Sequence, residues 1–130
     1  MQFLMLVYTD EALLAELPAG DFDGLMRGCL DHADELRAAG RVLGSQQLEP
    51  PATARTLRTR GGRTSIVDGP FAETKEMLAG FNLLEAESLD EAVRLAGEFP
   101  WSQFGSVEVR PIRDIGAVRQ RVGAASGPRI

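Results

Sequence analysis

Two stretches of this chain are apolar on both faces when read as strands, and few folds can accommodate that. From Met1 to Tyr8, Phe3, Met5 and Val7 fall on one side and Leu4, Leu6 and Tyr8 on the other. Phe81 to Glu85 repeats the pattern. Side chains of a strand alternate between its faces, so a strand apolar on both must be covered on both. These two segments therefore belong at the centre of a sheet.

The intervening sequence supplies the rest of that sheet and its cover. Thr9 to Gly20 reads as a connection with a short helical turn. Asp21 can cap a helix running to Ala39, with Gly40 as its stop. Phe22, Leu25, Met26, Cys29, Ala33 and Leu36 then form one stripe at helical spacing. Arg41 to Leu48 reads as a strand, and Pro50-Pro51 ends it because neither residue donates a backbone hydrogen bond. Ala54 to Arg60 and Thr64 to Val67 pair as a hairpin around Gly61-Gly62. Asp68-Gly69-Pro70 breaks the chain, and a charged loop runs from Phe71 to Met77. Ser88 and Glu91 make a capping box for a second helix reaching about Phe99, with Leu89, Ala92, Val93, Ala96 and Phe99 as its buried stripe. Ser106 to Ile112 alternates cleanly as a last strand.

The order is β-α-β, a hairpin insertion, then β-α-β. This is an α+β chain whose two helices lie on one face of one sheet, a split βαβ two-layer sandwich. Such a sandwich leaves the other sheet face bare. Exposing that apolar area costs about 25 cal/mol per Å². A second copy's sheet is the simplest cover, which predicts a homodimer through sheet faces. The alternative is that the insertion or the tail covers the face within one chain. Residues 1–113 make the domain. Residues 114–130 are small, polar and Gly-rich, with Arg119, Arg121 and Arg129, and read as an extended or partly disordered tail.

Composition narrows the function. The net charge of −5 disfavours nucleic acid, because an acidic surface repels phosphate. Arg55, Arg58, Arg60 and Arg63 make the hairpin basic, a pattern that also keeps an edge strand soluble. The lone Cys29 cannot pair within the chain, which points to a reducing compartment. The N-terminus shows no signal-peptide pattern and no apolar stretch is long enough to span a bilayer, so a cytoplasmic location without membrane attachment is expected. There is no P-loop, no dinucleotide fingerprint, no nucleophile elbow and no zinc-ligand set. No cofactor is expected.

The run Val67-Asp68-Gly69-Pro70-Phe71-Ala72-Glu73-Thr74-Lys75-Glu76 resembles the YCII-related family in its DGPF-domain branch. Leu48 to Ala54, Ala79-Gly80-Phe81 with the capped helix after it, and Phe104 to Pro111 are similar too, so the resemblance spans about residues 1 to 112. It implies ferredoxin-like subunits forming a dimeric α+β barrel. The superfamily includes a dehydrochlorinase and lactone isomerases, which work by proton transfer. The resemblance also implies an alternative role, as a non-catalytic regulatory partner of an extracytoplasmic-function sigma factor.

Proton transfer needs a group that titrates near neutrality, and His32 is the only histidine. It lies on the flank of the first helix's stripe, facing a cleft or simply the boundary of the core. Members of the resembled family pair a histidine on this helix with an aspartate, and His32 lies about one turn after that position. Asp68 is read as a base or an orienter for a neighbouring acid, or else as an Asx-turn acceptor of backbone N–H groups. Tyr8, Phe71, Glu73 and Lys75 are the candidate ligand-binding residues, for a small molecule held between sheet and helices. The expected reaction is of the lyase or isomerase type.

Overall fold

The computed structural model describes residues 1–125. The first strand, β1 (Gln2–Thr9), is central as its double apolar character requires. It is flanked by β5 (Met77–Glu85) and β6 (Gly105–Pro111), both antiparallel to it. Outside β5 lies β2 (Val42–Gln47), giving the sheet order β2-β5-β1-β6. This is the ferredoxin-like split βαβ arrangement. Two helices cover one face: α2 (Asp21–Ala38), which packs along β2, and α3 (Leu89–Ala96), which packs along β6 and β1. A short helix, α1 (Glu11–Ala15), occupies the connection after β1.

Register explains which residues form the core. Phe3 stands opposite Leu84, and Met5 opposite Asn82 and Val109. Phe3, Met5, Val7, Val42 and Leu84 point under the helices and are buried with Cys29, Leu36, Ala92, Leu95 and Phe99. On the other face Leu4 and Leu6 stand opposite Leu83 and Phe81, and all four are only half-buried. Close strand approach makes one glycine obligatory. A Cβ on Gly105 would come within 2.0 Å of the Tyr8 carbonyl oxygen, so β6 seats against β1 only without a side chain there.

The insertion stands apart. β3 (Arg55–Arg60) and β4 (Arg63–Asp68) form a two-stranded sheet of their own, turned by Gly61 and Gly62 at positive φ. Leu57 and Ile66 face each other across it, both about two-thirds exposed (67% and 66%).

Several expectations need correction. The segment read as a tail contains a helix, α4 (Ile115–Val122). Asp114 caps it by accepting the Gly116 and Ala117 N–H groups, and Gly123 ends it at φ 72°. Arg129 lies outside the described residues. β5 starts at Met77 rather than Phe81, because Met77 and Leu78 extend the ladder opposite Thr9 and Tyr8. The cap of α2 is Gly20 at φ 87°, and Asp21 sits inside the first turn, where its charge favours the helix N-terminus. Along α3 the buried face is Ala92, Leu95 and Ala96, with Leu89 and Val93 exposed. Half of the capping box forms: Ser88 Oγ accepts the Glu91 N–H at 3.1 Å, while Glu91 Oε2 accepts from the Glu87 N–H instead of that of Ser88.

One core residue breaks the apolar pattern. Asn82 is buried, its amide reaching only Met5 Sδ at 3.5 Å, and its Oδ1 has no hydrogen-bond partner among the described residues. A buried acceptor left unsatisfied costs about 1–3 kcal/mol. Replacing Asn82 by valine, similar in volume and suited to a strand, is expected to raise stability by about 1 kcal/mol. Urea unfolding checks this, through an increased midpoint with an unchanged slope.

Candidate functional site

The helix layer leaves a cleft of about 490 Å³ between the N-terminal half of α2 and the segment joining α3 to β6. Its size is that of a small-ligand site. Gly24 and Gly28, one turn apart on α2, keep one side low, and a Cβ added at either meets nothing within 4 Å. Leu25, Phe99, Pro100 and Phe104 line it with apolar surface. Cys29 and His32 continue the α2 side into it, and Glu98 closes the far side.

His32 and Glu98 form the polar centre. They are 66 residues apart in sequence, and His32 Nε2 lies 2.7 Å from Glu98 Oε1. An ionised carboxylate only accepts, so this contact places the imidazole proton on Nε2 and leaves Nδ1 with the lone pair. Nδ1 is 3.6 Å from Glu35 Oε2, beyond a hydrogen bond. The imidazole also sits edge-on to Phe99, ring centroids 5.1 Å apart. Glu98 receives Arg94 Nη1 at 3.4 Å from one turn back. The histidine is thus held by a carboxylate and a ring, with 29% of its side chain exposed. That is the arrangement of an oriented general base.

The remaining candidates are not gathered here. Asp68 ends β4 on the separate hairpin, its side chain 90% exposed, 3.4 Å from Arg55 Nε. It does not line this cleft, and the carboxylate in contact with His32 is that of Glu98. The reason is topological: the hairpin belongs to neither the sheet nor the helix layer. Tyr8 lies half-buried on the open sheet face, away from the cleft. Phe71 and Glu73 are exposed on the loop after Gly69. Lys75, on the same loop, reaches to 3.8 Å from the buried Asp10, which also accepts the Ala12 N–H at the start of α1. Asp10 was not singled out from the sequence, although its place before Glu11 and Ala12 is the signal of a helix cap. Nothing local marks Glu98 as the partner of His32.

Residues 1–116 match the model of the YCII-related domain. The chain belongs to the YCII-related family. An uncharacterized protein of Rhizobium meliloti (strain 1021) is 37% identical over 114 residues, covering 86% of this chain and 92% of its own. Among solved structures, 5-chloro-2-hydroxyhydroquinone dehydrochlorinase from Burkholderia phenoliruptrix AC1100, in complex with 2,5-dihydroxybenzoquinone, is 18% identical. That alignment covers 87% of this chain and 94% of the dehydrochlorinase, with a TM-score of 0.44. No helix among the described residues is long and apolar enough to cross a membrane.

Cys29 reports on the cleft. Burial pushes its thiol above the usual range by disfavouring the thiolate. The thiolate is the reacting species, so alkylation of the native chain at pH 8 is expected to run roughly tenfold or more below that of the urea-unfolded chain. Iodoacetamide labelling followed by mass spectrometry measures both rates.

Proposed function

We propose that this YCII-related protein binds a small apolar molecule in the α2 cleft and moves a proton on it, as a lyase or isomerase does. The observation that carries the reading is the 2.7 Å contact between His32 Nε2 and Glu98 Oε1 on the wall of a cavity lined elsewhere, Asp21 apart, by apolar residues and glycines. Glu98 balances the imidazolium that forms when His32 takes a proton from the ligand. Returning that proton to a different ligand atom completes an isomerisation. Losing a leaving group from the neighbouring atom completes an elimination. Neither step draws on another group of the protein.

The cleft can be blocked without touching the dyad. Gly28→Leu projects a side chain into open space and removes a helix-interior glycine, so the fold is expected to be retained. A fragment screen followed by backbone NMR is expected to give hits whose shifts centre on Gly24, Gly28 and His32 in the native chain. The same fragments should show no such shifts with Gly28→Leu. Hits that bind this variant equally well would remove the cleft from consideration.

We also infer that the open sheet face is covered by a second copy of the chain. Leu4, Leu6, Phe81 and Leu83 form a contiguous apolar surface there, flanked by Glu108 opposite Leu6 and Arg110 opposite Leu4. A face related to itself by a two-fold axis can set such opposite charges against each other. Leu6→Glu adds a like charge beside Glu108 and is expected to turn a dimer into a monomer in analytical ultracentrifugation at micromolar concentration. A monomeric parent chain would refute the inference outright.

A further inference from the structure

The charges around the cleft are not balanced, and this bears on what can enter it. Apart from His32, the ionisable side chains with a charge at neutral pH that line the cavity are Asp21 and Glu98, and no lysine or arginine lines it. Glu35 stands 3.6 Å from His32 on the outer side. Arg94 lies 3.4 Å from Glu98. Glu98 and Glu35 therefore stand beside the imidazole with one guanidinium, whereas Asp21, three turns away on α2, has no ion pair among the described residues. No side chain is placed to receive a carboxylate or phosphate by the bidentate contacts such groups favour. The rest of the wall is apolar, with Phe99 and Phe104 supplying ring surface, which attracts cations at its faces.

We propose that the ligand of this cleft is a ring-sized apolar amine carrying one positive charge, and that carboxylate-bearing molecules are excluded. The proposal rests on the reading of the cleft as a small-molecule site and adds the charge class of the molecule. The apolar body lies along Leu25, Pro100 and Phe104, over the floor left open by Gly24 and Gly28. The ammonium is oriented toward Asp21, at the end of the cleft about 16 Å along α2 from His32. Unit charges about 4 Å apart interact by about fivefold in affinity even at the dielectric of water, and an amine and a carboxylate differ by twice that free energy. Discrimination of about tenfold or more follows for a site this open.

The test uses three probes of one shape, benzylamine, benzyl alcohol and benzoate, titrated into the full chain and followed by backbone NMR. The expected order is amine tightest and benzoate weakest, with benzylamine about tenfold or more tighter than benzoate at low salt. The gap should shrink as salt is added and in Asp21→Asn, which keeps the His32–Glu98 contact. Binding of all three should vanish in Gly28→Leu. Equal affinities, or benzoate binding tightest, overturn the charge selectivity and leave the cleft standing as a small-molecule site. Benzylamine binding that persists in Gly28→Leu identifies attraction to the acidic surface at large and also overturns the proposal. Absence of binding by all three at millimolar concentration overturns both this proposal and the reading on which it rests.

Discussion

Everything in this fold is arranged around the double pairing of β1. Its backbone is hydrogen-bonded on one side to β5 and on the other to β6, and its side chains are apolar on both faces. Burying Phe3, Met5 and Val7 requires a helix layer of a certain width, since each large apolar side chain contributes about 1.5–3 kcal/mol only when fully covered. Two helices supply that width because the split βαβ order sends α2 over β2 and α3 over β6. The site lies beside α2, where the segment joining α3 to β6 runs against it.

The meeting of His32 with Glu98 follows from the same arrangement. Both residues sit at the edge of the buried layer, next to Cys29 and Phe99. Cys29 and Phe99 are anchored by the core, so each charged neighbour is carried to a fixed place on its rim. The α2 glycines matter for a different reason. A bulkier residue at Gly24 or Gly28 would find no neighbour to pack against and would fill the cleft. A helix of eighteen residues that keeps two interior glycines forgoes about 1 kcal/mol each relative to alanine. Open space beside the histidine is the structural consequence.

The sequence revealed this architecture where side-chain alternation reports burial directly. The central strands, the hairpin at Gly61-Gly62, the capping box at Ser88 and the two long helices were all legible. Each is set by neighbours close along the chain or by a period of two or 3.6 residues. The helix at Ile115–Val122 was not: Ile115, Val118 and Val122 recur at helical spacing after the Asp114 cap, but the segment is short and followed by small and Gly-rich sequence. His32 was legible as the one histidine on a stripe's flank. Its partner was not: Glu98 reads as an ordinary surface acid four residues after Arg94, and only the sheet order brings it to α2. Asp68 misled for the complementary reason. Its turn is marked strongly in the sequence, but the mark describes local backbone geometry and carries no information about distance to a helix in another part of the chain.

The two surfaces with unmet chemistry lie on opposite sides of one sheet. Leu4, Leu6, Phe81 and Leu83 face away from the helices, whereas the cleft opens within the helix layer. A second copy seated on the open face would therefore leave the cleft accessible and add no side chain to the His32–Glu98 pair. Charge is segregated as well. Arg58, Arg60 and Arg63 are on the hairpin, remote from the carboxylates at the cleft, and the only ion pair of β3 and β4 among the described residues is Arg55–Asp68. Had those arginines lined the cavity, they would have offset Asp21 and Glu98 and admitted an anion. Their placement on an independent two-stranded insertion keeps their charge out of the cleft lining.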